Sequence, residues 1–289
     1  MWTIVASGIA NGALTGLVAM GIVMIFRTSG VVNFAQGEFM TLAAYLYIPL
    51  SQDHRNAALE LVLIVALGAV AGLVFFAITE LFLSRAEPLI QMMATFALSL
   101  LIVSVLAKAE SSQTQPVPNW LNGGSLFTVA GVHLTGAEII EAGATLVLLA
   151  IITTVLRTSS LGKAIEAVAE DRRAASLCGI SPRLTVAVSW VIGGALTAIA
   201  GLLYAPLAGV SPSMGGNVLF PAFVAATIGG FVSLTGAAVG GVAVGVLGAL
   251  ANYYLGGGSV SVVAIFAILV VVLLLKPTGF GGRAELLRV

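Results

Sequence analysis

The sequence predicts an all-α polytopic membrane protein of about eight to nine transmembrane helices, with broken or re-entrant segments and one helix in a cytoplasmic loop. Three observations carry this. Only 8% of the 289 residues are charged and 59% are hydrophobic, against about 25% charged in a typical soluble domain. Apolar runs long enough to cross a bilayer, about 20 residues each, recur along the chain. Charge is also gathered in one place. Arg157, Lys163, Glu166, Glu170, Asp171, Arg172, Arg173 and Arg183 form an island, and from Leu184 to Leu275 there is no Asp, Glu, Lys or Arg. A net charge of zero gives no footing for nucleic acid. Cys178 is the single cysteine, which excludes an intrachain disulfide and reads as a small unreactive side chain.

Taken in order, the spans fall at 3–26, 38–52, 57–80, 88–107, 137–156, 184–207, 218–232, 235–255 and 259–275. The first lacks the basic start of a secretory signal and reads as a retained helix. The second and seventh are short for a bilayer, so they are tilted and extended by their flanks, or else broken or re-entrant. All of 1–289 reads as one transmembrane domain with two notable loops, 157–183 inside and 108–136 outside. Orientation follows from basic residues: the island and the tail with Lys276, Arg283 and Arg288 go inside, which puts the N-terminus outside and the C-terminus inside. Within the outer loop, Leu126 to Leu134 has β-forming residues either side of Ala130-Gly131 and predicts a small hairpin. Gly8, Gly12 and Gly16, Gly68 with Gly72, and Gly241 with Gly245 repeat at four-residue spacing, the pattern that lets helix backbones approach closely in lipid.

Two breaks hold polar residues next to apolar spans. In Arg27 to Phe39, a helix resuming near Gln36 presents free N–H groups and its positive dipole end where Asn33, Gln36 and Glu38 cluster. A capped turn at the inner face accounts for this, and so does a broken helix lining a transport pathway. The second break runs from Asn217 to Pro221, before a short span, and on to Gly229–Gly236. Its glycines repeat the seven-residue interval of Gly30 and Gly37, with Asn33 and Ser233 nearly in step. Paired interrupted segments in two halves point to a midplane site in transporters.

In the island, Ser159 or Ser160 caps a helix from about Gly162 to Cys178, and Gly179 ends it. Lys163, Glu166, Glu170 and Arg173 then share one face, with Ile165, Val168 and Ala169 opposite. Such a helix either rests on the membrane surface or docks into a cytoplasmic motor. Glu138 and Glu141 lie in the first turn of the fifth span, where dipole compensation explains them and contact with an outside partner is the alternative. His54 and His133 lack metal-ligand spacing. No Ser/His/Asp set, paired-carboxylate site or phosphate-binding glycine motif with Lys is visible, so enzyme activity is not expected of this chain.

Asn11-Gly-Ala-Leu14 with Arg27 to Glu38, Ala169-Glu-Asp171 with Ala174 to Ile180, and Pro221 to Gly245 together resemble the high-affinity branched-chain amino acid ABC transporter permeases of the LivH type. The resemblance covers nearly the whole chain. It implies a bacterial inner-membrane permease subunit paired with a homologous second subunit. Two ATP-binding cassette subunits would hydrolyse ATP, no cofactor being bound by this chain, and an extracytoplasmic solute-binding protein would deliver substrate. It further implies a coupling helix at Lys163–Ile180 involving Lys163, Glu166, Glu170, Asp171, Arg172, Arg173 and Gly179. The pathway would lie near Asn33, Gln36, Gly37, Glu38, Asn217, Pro221, Ser233 and Gly236, and the binding protein would meet Trp120, Glu138 and Glu141. Similar permeases serve urea, short amides and other small organic acids. An ion-coupled secondary carrier is the reading from another class, and the charge-free stretch after the island argues against it.

Overall fold

The computed structural model describes residues 2–52, 56–110, 113–117, 127–129, 132–134, 136–255, 259–276 and 279. In chain order the elements are α1 (Trp2–Ser29), α2 (Gln36–Gln52), α3 (Ala57–Phe76) with a π-helical continuation (Ala77–Phe82), and α4 (Pro88–Ala109). Next come β1 (Phe127–Val129), β2 (Val132–Leu134), α5 (Gly136–Thr158), α6 (Ser160–Glu170) and α7 (Arg172–Leu177). The chain closes with α8 (Pro182–Ala208), α9 (Met214–Gly229), α10 (Leu234–Tyr254) and α11 (Ser259–Leu275).

This is an all-α polytopic membrane protein. Among the described residues five helices, α1, α3 with its continuation, α4, α8 and α10, are long and apolar enough to cross a membrane, while α9 and α11 are shorter apolar helices. The end of α5 and α6 satisfy the same test as a pair bent by 71°. The predicted hairpin is present, with Phe127 opposite Leu134, Thr128 opposite His133 and Val129 opposite Val132. Its turn at Ala130-Gly131 lies outside the described residues. The chain between α4 and the hairpin is tied down at Gln115, which exchanges backbone hydrogen bonds of 2.8 and 2.9 Å with Val210, just past α8.

α1 is the centre of the bundle. From Gly12 to Ile25 it is buried on every side and almost wholly apolar, and it packs on α5, α8, α9 and α10. Everything from Leu17 to Ile25 is buried. The glycine repeats meet one another. A Cβ on Gly8 would stand 2.7 Å from Val246 Cα, and one on Gly12 2.7 Å from Val242 Cα, while Gly241 and Gly245 of α10 sit against Gly16 and Gly12. The second repeat seats α3 on α8, where a Cβ on Gly68 would lie 2.5 Å from Ala198 Cβ and one on Gly72 would overlap the Trp190 carbonyl. α4 is attached differently. Its buried residues are Gln91, Thr95 and Ser99, a polar stripe at four-residue spacing, and its other sides are apolar and exposed.

Two elements depart from the sequence reading. The single island helix is two helices, because Asp171 adopts an extended conformation and caps α7, accepting from the N–H groups of Arg173 (2.7 Å) and Ala174 (3.0 Å). An aspartate inside a helical run competes for backbone donors and restarts the helix. Arg173 is thereby removed from the face that Lys163, Glu166 and Glu170 share on α6. The ends behave as expected: Ser159 caps α6 through Gly162 N at 3.1 Å, and Gly179 (φ +82°) ends α7 in a Schellman turn with Ile180 N on Ala175 O. The second departure is α9, which starts at Met214, so Asn217 and Pro221 lie inside its first turns instead of ahead of it.

The packing makes a direct prediction. Gly72→Val should cost about 1–3 kcal/mol through overpacking against Trp190, read as a lower thermal midpoint in detergent. Gly143→Ala, on α5 with no atom within 4 Å, should hold or raise that midpoint. An unchanged midpoint for Gly72→Val would remove close backbone approach as the basis of the α3–α8 contact.

Candidate functional site

The first break turns inward. Gly30 takes a left-handed turn (φ +77°) after α1, and the chain re-enters the bundle before α2 begins. Gln36 then sits beside Gly21 of α1, donating from Nε2 to Gly193 O (2.9 Å) and Thr197 Oγ1 (2.6 Å) of α8. None of these partners is near a helix end, so α2 starts within the thickness of the bundle. That is why it is short. Asn33 Nδ2 donates to Gln36 Oε1 (2.9 Å) and its Oδ1 accepts from Ala35 N (3.0 Å), so a buried non-helical stretch keeps its polar groups satisfied.

The same break reaches two other helices. Phe34 N donates to Thr95 Oγ1 of α4 at 3.1 Å, and Ser99 Oγ of α4 donates to Glu38 Oε1 at 3.1 Å. Glu38 is only 2% exposed, and its Oε2 has no hydrogen-bond partner. Gly37 packs on Gly215, whose N–H is accepted by Thr41 Oγ1 at 3.0 Å. Thr41 of α2 thus satisfies a free donor at the start of α9, a helix whose own Ser213 makes no side-chain cap.

The eight predicted pathway residues do not converge on one cavity. Asn33, Gln36 and Glu38 are buried bonding groups, and Gly37 is a packing contact. Asn217 and Pro221 line a cleft of about 880 Å³ between α1, α8, α9, α10 and α11, together with Asn11, Thr15, Tyr204 and Asn252. Among the described residues no charged side chain lines it. Ser233 lies at the opposite end of α1, capping α10 through Gly236 N (3.0 Å), while Gly236 packs on Gly229. Ser233 lines a second cleft, of about 590 Å³, with Arg27, Arg157, Lys163, Glu166 and Glu170. Sequence reasoning missed Asn11, Thr15, Tyr204 and Asn252. Asn11 and Asn252 are amides in otherwise apolar helices, and that was the available signal.

The island packs by Ile165, Val168 and Ala175 and leaves Lys163, Glu166, Glu170, Asp171 and Arg173 exposed. Arg172 points back into the bundle, donating to the Thr28 carbonyl and standing 3.9 Å from Glu80. Leu177, at the end of α7, is 90% exposed and was not singled out from sequence. Arg157 Nη2 donates to Thr235 Oγ1 at 3.0 Å, joining the α5–α6 elbow to α10. Glu138 and Glu141 lie in α5 on the side of the outer loop, and Trp120 lies outside the described residues. Among the described residues no cluster of His, Cys, Asp or Glu is arranged to hold a metal.

Two predictions follow from this geometry. Gln36→Leu strips partners from Asn33 and Thr197 in a dry interior, and it should lower stability by about 1–3 kcal/mol. A thermal midpoint matching the parent protein would show that the break is held by something else. The Ala174 and Arg173 N–H groups hold the Asp171 carboxyl below its ordinary pKa. A depressed folded-state value means the cap is intact at neutral pH and lost only as pH falls through that value. Amide protection in 172–177, measured relative to the intrinsic exchange rate at each pH, should fall below the ordinary aspartate range, and Asp171→Asn should abolish that acid response; protection constant with pH in the parent protein would contradict the cap.

The family model described as branched-chain amino acid transport system / permease component matches residues 4–285. The high-affinity branched-chain amino acid transport system permease protein LivH of Escherichia coli (strain K12) is 32% identical, over 98% of this chain and 96% of the relative. LivH of Salmonella typhimurium is 31% identical with the same coverage, as is BraD of Pseudomonas aeruginosa at 30%. No solved structure matches. With its apolar bundle and a match that runs nearly end to end, the chain belongs to the family of branched-chain amino acid transport system permease components.

Proposed function

We propose that this permease imports branched-chain amino acids in an ATP-driven complex, paired with a homologous second permease subunit. Of two ATP-binding cassette subunits, one docks on this chain's island and one on the second permease subunit, and an extracytoplasmic binding protein delivers solute to the other face. The observation that carries the reading is the family match over residues 4–285. The orientation that goes with it has the N-terminus outside and the island inside a bacterial inner membrane. Arg27, Arg157 and Lys163 around one cleft support that direction, since basic residues favour the inner side.

The 880 Å³ cleft then opens outward and receives solute. Its carboxamides at Asn11, Asn217 and Asn252 each offer donor and acceptor atoms, which suits the two ends of a zwitterion. Asn217 also stands in the first turn of α9, where the helix dipole favours a carboxylate. Aliphatic neighbours such as Leu14, Val218 and Ile265 suit a branched side chain. A lining without charge gives no means of coupling to a proton, which favours ATP over an ion gradient as the energy source. On the other side, exposed Arg173 and Leu177 with the α6 face of Lys163 and Glu166 make the docking surface for an ATPase subunit.

Uptake of labelled leucine into proteoliposomes holding the assembled complex tests this reading. Uptake should require internal ATP and the binding protein, and Asn217→Leu should reduce it roughly tenfold by removing a paired polar contact. Leu177→Asp should release the ATP-binding subunit on co-purification. Leucine uptake by the chain alone, driven by an ion gradient without ATP, would overturn the proposal.

A further inference from the structure

We infer that Arg172 is a positioning residue that ties the island to the chain break after α1, and that it is not a contact for the ATPase subunit. The inference rests on the island being the docking element, and it separates two neighbouring arginines. Arg173 is exposed on α7. Arg172, though 47% exposed, directs its guanidinium inward to the Thr28 carbonyl and to Glu80, whose side chain is 16% exposed.

Both partners are joints. Thr28 lies in the last turn of α1, where carbonyls have no helical N–H to accept from. Two residues on, Gly30 turns the chain (φ +77°) toward Asn33 and Gln36, which hold α8. Glu80 belongs to the π-helical end of α3, and it also feels the charge of Arg183 in the first turn of α8. One guanidinium therefore joins α7 to α1 and α3, with α8 close by. A planar fork of donors can serve a carbonyl and a carboxylate together, which a single ammonium on a flexible stem does less well. A half-exposed ion pair at 3.9 Å adds little to stability. What it supplies is position: movement of α7 is passed to the residues that begin the break.

The test uses the complete transporter in proteoliposomes, measuring co-purification of the ATP-binding subunit, ATP hydrolysis and solute moved per ATP. For Arg172→Ala the subunit should stay bound and ATP should still be hydrolysed, while solute per ATP falls roughly fivefold or more. Arg172→Lys should fall between, and Arg172→Glu with Glu80→Arg should transport better than Arg172→Glu alone. Should Arg172→Ala fail to reach the membrane, Glu80→Gln bears the same test and should lower solute per ATP with docking intact. Parental solute per ATP in both Arg172→Ala and Glu80→Gln overturns the inference, and so does release of the ATP-binding subunit by Arg172→Ala. Failure of the underlying reading looks different: Leu177→Asp and Arg173→Glu would leave the subunit bound.

Discussion

Hydrocarbon gives a helix no reason to prefer another helix over lipid, so this bundle must be held by backbone closeness and by hydrogen bonds. α1 shows how completely the first device is used. Gly8, Gly12 and Gly16 bring it against α10, whose Gly241 and Gly245 answer from the other side, and neither helix has room for a methyl group there. Gly68 and Gly72 do the same for α3 on α8. With α1 so enclosed, every other element is placed relative to it. Both clefts are then defined by which end of α1 they adjoin.

Hydrogen bonds take over where the backbone stops being helical. A break inside lipid leaves donors and acceptors that water cannot reach. Asn33 and Gln36 answer that need, and in doing so they fasten α2 to α8, while Thr95 and Ser99 fasten α4 to the same point. Thr41 extends the set to α9. Polar residues that look from sequence like the lining of a path are thus the joints of the bundle. The cleft itself is lined by Asn11, Asn217 and Asn252, polar side chains inside continuous helices.

The sequence made the helices legible because length and apolar composition are local properties: each of the nine apolar runs is helical within a few residues of its expected bounds, although only five of those helices, or six with the bent pair, are long and apolar enough to cross a membrane among the described residues. The hairpin and the glycine contacts were legible for the same reason, through β-propensity and four-residue spacing. The site was much less so. Spacing placed Asn33 and Gln36 at a break but could not say that Gly21 and Gly193 leave a niche for the Gln36 amide, since those contacts join residues far apart in the chain. In the seven-residue likeness between Gly30–Gly37 and Gly229–Gly236, each segment holds a positive-φ glycine, Gly30 and Gly230, ahead of a new helix. Periodicity carries one helix straight through Asp171 because it ignores an aspartate's preference for capping.

The distribution of charge bears on how such a molecule can be driven. Between the two clefts, α1 from Leu17 to Ile25 is sealed, so solute passes only if helices move relative to α1. Among the described residues no Asp, Glu, Lys, Arg or His lines the 880 Å³ cleft to sense a gradient. On the proposed ATP-driven reading, force enters as displacement at the end where the island lies. That end has joints suited to it: the 71° elbow between α5 and α6, the restart at Asp171, and the turn at Gly30. α6 is braced on the bundle by Ile165 and Val168, and Arg157 joins the elbow to the start of α10. A push on α6 and α7 thus reaches α1 and α10 together, the two helices locked most tightly by glycine. Beside that close-packed pair lie the cleft against α9 and α11 and the polar attachment of α4, a seam with no such backbone contact among the described residues.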